Sequence, residues 1–285
     1  MESVYKENSL FCCDNLELLE KIPDETIDLI YCDILYGTGK KFDDFKDIKA
    51  QEEIVKEFYE YRLALMNNKL KKTGSIYIQV DTRINHWIRI IMDEIFGYDN
   101  FRNEIIWWKK SFSDKDQEAY LKRHDVILFY TKTDNYYYET QFIYNEKKQK
   151  RMKKGYWDAG DAYLIYDEEK FMKFKEDKIK KGKFKDKKEK LKTDDNFTTK
   201  CHDVIDDIDI VKHNSPEYVE YSCQKPLKLM ERILLCSSKE NDLVADFFMG
   251  SGSFVVQAAK MNRRYIGCDI NPKSVEITRD RLKNT

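Results

Sequence analysis

The sequence predicts an α/β fold, an open and mostly parallel sheet with helices on both faces, interrupted by a segment of different character. Three observations carry this. Short apolar runs of strand length alternate with longer stretches of helical periodicity. A strand, a tight Gly-Ser-Gly turn and a helix follow one another over residues 242–261. The alternation fails between residues 136 and 215 and then resumes.

The elements follow in chain order. Residues 15–21 have helical spacing of Leu16, Leu18 and Leu19, and Pro23 stops the helix. Residues 27–32 form a short apolar run suited to a buried parallel strand. Residues 51–70 read as an amphipathic helix with Ile54, Phe58, Tyr61 and Leu65 on its apolar face. A strand is expected at 74–80, a helix at 83–96, and two neighbouring strands at 104–108 and 125–130. Residues 136–215 are aromatic, Lys-rich and irregular, with a low-complexity run at 178–192. Beyond them come a helix at 226–238 with Pro226 in its first turn, a strand at 243–247, a helix at 253–261, a strand at 264–269 and a helix at 272–282. The chain thus divides into halves, 1–135 and 216–285, of one domain around an insertion at 136–215.

The 285 residues suffice for one large domain with such an insertion. The formal net charge is -1, but residues 146–192 hold 18 Lys/Arg against 10 Asp/Glu, a local balance of +8 that leaves about -9 elsewhere. A solvated surface and a phosphate-facing surface both account for such a stretch. The seven cysteines (Cys12, Cys13, Cys32, Cys201, Cys223, Cys236 and Cys268) include no C-x-x-C pair and read as reduced, mostly buried thiols of a cytoplasmic protein. The four histidines show no ligand spacing, so no metal site is expected. Residues 1–10 are polar, which argues against a signal peptide, and the apolar runs are too short to span a membrane.

In the turn after the strand at 243–247, Gly250 and Gly252 let the backbone approach a ligand, and the helix start offers N–H groups to an anion. Asp269 ends the next strand, seventeen residues past Gly252, where an acid accepts hydrogen bonds from ribose hydroxyls. A lone G-x-G also occurs where a helix merely packs on a strand; the acid is what points to a nucleoside. Val255 stands where a dinucleotide fingerprint would place its third glycine, which favours adenosine carrying a short polar tail.

Asp33-Ile34-Leu35-Tyr36 follows the strand at 27–32, at the end where open α/β sheets bind ligands. The lone pair of an exocyclic base amine is delocalised into the ring. A carboxylate accepting one N–H and a backbone carbonyl accepting the other localise it, and a stacked aromatic ring aims it. Asp33, the Ile34 carbonyl and Tyr36 supply these parts. A strand-end Asp capping a turn, with Tyr36 in the core, accounts for the same four residues.

Taken together, these elements resemble the beta-class amino-methyltransferases of DNA, which act on adenine N6 or cytosine N4. The catalytic motif of that family, Asp/Ser/Asn-Pro-Pro-aromatic, is matched by Asp33 to Tyr36, and its cofactor motif by Asp246-Phe-Phe248-Met-Gly250-Ser251-Gly252-Ser253. Gln224-Lys225-Pro226, with Leu229 and Arg232, is similar to the helix start that precedes the cofactor motif. Asp14-Asn15-Leu16 looks like the adenine-contacting element, and residues 265–269 like the ribose strand. The strand at 103–107 also has a family counterpart. The resemblance covers residues 1–135 and 215–285 and lies in the ordered set.

It implies a Rossmann-like class I methyltransferase fold with an inserted target-recognition region. S-adenosylmethionine is the implied cofactor, held by Asp14, Asn15, Lys225, Asp246, Phe248, Gly250, Ser251, Gly252 and Asp269. Asp33, Ile34, Leu35 and Tyr36 are the implied catalytic residues. Double-stranded DNA is the implied substrate, with the target base flipped out, and Lys147, Lys148, Lys150 and Arg151 are candidate phosphate contacts. Tyr156 and Trp157 either probe the DNA or form a local core. Asp33 leans towards adenine N6, since cytosine N4 relatives more often carry Ser there. A cognate restriction endonuclease and a homodimer also fit the resemblance. Two departures stand out. Ile34 and Leu35 replace both catalytic prolines, so packing must set the backbone there. Phe247 and Phe254 replace a proline and a threonine of the cofactor motif. The competing classes are a methyltransferase for RNA, protein or a small molecule, and a relative that binds DNA and cofactor without turnover.

Overall fold

The apolar runs of the chain become strands whose side chains alternate between two faces of one sheet, and this alternation builds two cores. The computed structural model describes residues 5–42, 44–109, 120–144, 149–150, 153–154, 156–191 and 198–285. They divide into two compact units, residues 1–139 with 202–285, and residues 140–201.

The larger unit opens with β1 (Ser9–Cys12), α1 (Asn15–Leu19) and β2 (Ile27–Asp33). Next come α2 (Glu52–Lys69), β3 (Leu70–Val80), α3 (Asn85–Phe96), β4 (Phe101–Trp108) and β5 (His124–Thr131). In the smaller unit, β6 (Phe142–Tyr144) pairs with β10 (Thr198–Lys200). There β7 (Tyr156–Asp158), β8 (Ala162–Ile165) and β9 (Lys188–Leu191) form a three-stranded sheet, with α4 (Glu168–Lys180) between β8 and β9. The larger unit resumes with β11 (Val204–Ile205), α5 (Leu227–Ser237), β12 (Leu243–Asp246), α6 (Ser253–Lys260), β13 (Arg264–Asp269) and α7 (Pro272–Lys283).

The main sheet has the order β1-β13-β12-β2-β3-β5-β4-β11, and only β5 runs against its neighbours. The chain leaves β2 through α2 towards β3, and leaves β12 through α6 in the opposite direction towards β13. Adjacent strands whose connections diverge open a crevice at their carboxyl ends. Ile30, Cys32, Ile76, Ile78, Val126 and Leu128 face the core under α1, α2 and α3. The residues between them, Leu29, Tyr31, Tyr77, Ile127 and Phe129, face the core under α5 and α6.

Three expectations need correction. The buried face of α2 is Val55, Tyr59, Leu63 and Met66, one residue on from the stripe built on Ile54 and Tyr61. Tyr61 is 55% exposed, because the helix turns Arg62 inward to meet α1. Of the cysteines, all of them free, only Cys32, Cys236 and Cys268 are buried. Cys12 ends the edge strand β1 and Cys223 sits at φ 61 in a loop, so both are exposed. The smaller unit is more regular than its Lys-rich sequence suggests. Asp167 caps α4 by accepting from the Lys170 N–H, acids fill its first turn and lysines its last. Phe171, Tyr163 and Ile165 are buried there, against Tyr156, Phe174 and Phe184. This unit begins after the expected start at 136 and ends before 215, since residues 204–205 extend the main sheet beside β4.

No helix among the described residues is long and apolar enough to cross a membrane.

Candidate active site

At the carboxyl ends of β2 and β12 lies a cleft of about 420 Å³. Asp33, Ile34, Leu35 and Tyr36 line it from β2; Asp246, Phe248, Gly250 and Ser251 line it from the turn after β12; Asp269 lines it from β13. Asp14, Asn15 and Lys225 complete it. Of the residues expected to hold a cofactor, only Gly252 is absent from this lining. Its φ is +75°, and a Cβ there would come within 2.2 Å of Thr278, so Gly252 serves the close packing of α7 on the turn.

Asp14 caps α1 by accepting from the Leu16 N–H at 2.9 Å. Arg62 binds both Asp14 oxygens, at 3.0 and 2.8 Å, and donates through Nε to Asn15 Oδ1 at 2.9 Å. The Asn15 amide in turn donates to the Phe247 carbonyl at 3.0 Å, which ties α1 to the glycine turn. Asp269 accepts from the Gly250 N–H at 2.7 Å and the Asn271 N–H at 2.8 Å. Burial raises its carboxyl above the ordinary range, and those two N–H groups partly offset the rise. Burial raises Asp246 much further, with the Phe248 N–H acting against it.

The tetrapeptide Asp33-Ile34-Leu35-Tyr36 is held without prolines. Ile34 is 2% exposed, and its N–H, which proline would lack, donates to the Gln79 carbonyl at 3.1 Å. The Leu35 carbonyl accepts from the Tyr59 hydroxyl at 3.1 Å. Packing was the expected substitute for the prolines; two hydrogen bonds act beside it.

The acidic end of β2 joins a chain of charges. Lys225 donates to Asp33 Oδ2 and to the Cys223 carbonyl. Tyr36 Oη lies 2.7 Å from Asp33 Oδ1 and 3.0 Å from Asp125 Oδ2. Gln79 donates to Asp125 Oδ2 at 2.9 Å, and Lys109 to Asp125 Oδ1 at 2.5 Å. Burial raises the Asp33 carboxyl, while Lys225 pulls it the other way. Burial also works to lower the Lys225 ammonium, but Asp33 and Asp125 outweigh it and hold it above its ordinary value. Lys225, expected at the cofactor, thus spends its charge on the Asp33 carboxylate while lining the same cleft. Gln224 braces the loop before it, accepting from the Val219 N–H and donating to the Glu217 carbonyl.

Sequence reasoning missed Asp125, Lys109 and Gln79. Asp125 is 1% exposed at the start of β5, and it opens onto a second cavity of about 680 Å³ that Tyr36, Lys109, Trp107, His213 and Tyr218 also line. The signal was an acid heading an otherwise apolar strand.

In the smaller unit, Lys150 is exposed, while Lys147, Lys148 and Arg151 lie outside the described residues. The two aromatics of β7 divide. Tyr156 stacks on Phe174 with ring centroids 4.1 Å apart, and Trp157 is 38% exposed on the other face. Among the described residues no group of His, Cys, Asp and Glu is arranged to hold a metal ion.

An open α/β sheet with an acidic strand end and a glycine turn at its switch point defines a class of proteins that bind ligands across the carboxyl edge. The family model described as DNA methylase, covering N6 and N4 methyltransferases, matches residues 27–280, and the chain belongs to that amino-methyltransferase family. DNA adenine methyltransferase YhdJ of Escherichia coli (strain K12) is 26% identical over 270 residues, 94% of this chain and 80% of the relative. Type II methyltransferase M.HpaI of Haemophilus parainfluenzae is 26% identical over 281 residues, 97% of this chain and 74% of the relative. Among solved structures, the cytosine-N4-specific PvuII DNA methyltransferase aligns with a TM-score of 0.62 at 16% identity, covering 97% of this chain and 86% of its own. M1.HpyAVI in complex with SAM aligns at 0.54 and 16% identity, covering 96% and 99%. These two likenesses bear on the fold.

Proposed function

We propose that this chain methylates the exocyclic amine of a base in double-stranded DNA from S-adenosylmethionine, with adenine N6 the favoured acceptor. The observation that carries the reading is the shared cleft: Asp33 and Tyr36 line the same space as the glycine turn and Asp269. S-adenosylmethionine supplies an electrophilic methyl group when bound. The residues present fit it. Asp269 keeps acceptor capacity for ribose hydroxyls beside its two N–H bonds, and Phe58 and Phe248 give the cleft aromatic walls. Asp14, Asn15, Asp246, Gly250 and Ser251 complete the holding set, Gly252 shapes the turn, and Lys225 borders it.

Asp33 accepts one amine hydrogen and the Ile34 carbonyl the other, so the nitrogen lone pair turns towards the methyl group. Tyr36 provides the ring on which the base stacks. Asp33 then takes the proton that the methylated nitrogen sheds, and its raised pKa makes it a stronger base for that step. Flipping the base costs roughly a few kcal/mol, which backbone contacts offset. Residues 140–201 form the target-recognition unit, with Lys147, Lys148, Lys150 and Arg151 on phosphates and the exposed Trp157 towards the duplex. The names of the relatives support a modification enzyme paired with a restriction endonuclease. A homodimer in the cytoplasm belongs to the same reading.

Labelled S-adenosylmethionine is incubated with duplex DNA of varied sequence, and the product is digested to nucleosides. Label in N6-methyldeoxyadenosine is the expected result, and label in N4-methyldeoxycytidine would move the assignment to cytosine. Asp33→Ala that methylates at the wild-type rate would sink the role of Asp33.

A further inference from the structure

Tyr36 carries one hydroxyl hydrogen and stands between two carboxylates, Asp33 and Asp125. Asp33 accepts from Lys225 on one oxygen and is within reach of Tyr36 on the other. A carboxylate that already satisfies an ammonium and a hydroxyl is a weaker acceptor for a neutral amine. Asp125 offers the hydroxyl somewhere else to go. Its carboxylate is fixed beforehand by Lys109 and Gln79, so it can receive the hydrogen bond without moving.

We propose that Asp125 is a positioning residue: it takes over the Tyr36 hydroxyl hydrogen bond when the target amine arrives, leaving Asp33 Oδ1 to the amine. The exchange is a rotation about the Cζ–Oη bond. The proton stays on Tyr36, and the ring keeps its place for stacking. Burial beside two carboxylates holds the Tyr36 hydroxyl well above its ordinary pKa, in keeping with a hydroxyl that only redirects its hydrogen. The same exchange explains why a strand start in the core carries a carboxylate that is 1% exposed. An apolar residue there would avoid the desolvation of a charge. Lys109 and Lys225 balance the two carboxylates, so the redirected hydrogen bond leaves the local charge unchanged.

This inference rests on the role given to Asp33 above. The test is the single-turnover rate of base methylation at saturating DNA and S-adenosylmethionine, with cofactor Kd measured by calorimetry. Asp125→Asn puts a neutral, weaker acceptor beside Tyr36. It should slow methylation by roughly tenfold or more while cofactor Kd stays within about twofold. Adding Tyr36→Phe removes the competing hydroxyl, so the double variant should be faster than Asp125→Asn alone. A purely structural Asp125 would give no such rescue. If Asp125→Asn fails to fold, as judged by its melt, Lys109→Met replaces it. That change removes the ammonium that fixes the Asp125 carboxylate, so the acceptor is no longer held in place for the hydroxyl, with the same slowing and the same rescue expected. A rate within about threefold of wild type, or a double variant no faster than the single, overturns the inference. Loss of methylation in Asp33→Ala without rescue in the double variant overturns this inference alone. Wild-type methylation by Asp33→Ala overturns the parent reading as well.

Discussion

Arg62→Met tests whether the clamp between α1 and α2 shapes the cofactor cleft. The substitution keeps an apolar stem and removes the guanidinium. Three groups lose it: both Asp14 oxygens, Asn15 Oδ1 and the Phe58 carbonyl. The guanidinium also leaves the Phe58 ring, whose centroid lies 4.0 Å away. The Asp14 side chain is 38% exposed, so water re-solvates it and the lost ion pair contributes under about 1 kcal/mol. Asn15 is 7% exposed, and an acceptor stranded there costs about 1–3 kcal/mol. The ring contact adds about 0.5–1 kcal/mol. Together these lower stability by about 1.5–5 kcal/mol. Urea unfolding followed by circular dichroism reads this, provided the denaturant slope is unchanged. Asn15 also holds the Phe247 carbonyl, so loosening it should weaken S-adenosylmethionine binding by roughly tenfold, read by calorimetry. A stability loss below about 1 kcal/mol with unchanged affinity would refute the reasoning.

Two further outcomes are expected. In the proposed mechanism Asp33 is ionised when it accepts the amine hydrogen, and its pKa is raised by burial, so the acid limb of the pH–rate profile should rise as pH passes through that raised value; Lys225→Met removes the cation that pulls it down and should move the limb to higher pH, which a stationary limb would contradict. Ile34→Pro restores the family residue but deletes the bond to the Gln79 carbonyl, and should destabilise the protein by about 1–3 kcal/mol in urea unfolding, whereas an unchanged or raised midpoint would count against that bond.

The elements of the main sheet were legible because local signals agree with global ones. Gly250, Gly252 and Asp269 declare a turn and an acid at fixed spacing, and both lie on short continuous segments. Asp33 and Tyr36 were legible for the same reason. What stands beyond Tyr36 was not. Asp125 reaches it only through the pairing of Gln79 with Ile127 on one side of β5 and of Trp107 with Asp125 on the other. No periodicity reports such long-range register. The face of α2 was misread because its inward residue is Arg62, which periodicity scores as polar and structure uses as a buried clamp. The smaller unit was hidden by composition. Its aromatic cluster is assembled from β7, β8 and α4, with lysines on the intervening positions.

The reversed direction of β5 has a consequence for how the site varies. A wholly parallel sheet furnishes its reactive edge only with residues at which strands finish, and each connection leaving that edge has a helix to build before it returns. By running backwards, β5 brings its opening residues to the edge where β2, β4 and β12 end. Asp125 therefore enters the site at the head of a strand that pairs antiparallel with β4, and the connection between antiparallel neighbours needs no crossover helix. Such a connection can change length or sequence without disturbing helix packing. Tolerance to alteration and proximity to the chemistry thus coincide on one segment, and the surroundings of the reacting base can be retuned there while the cofactor half of the sheet stays as it is.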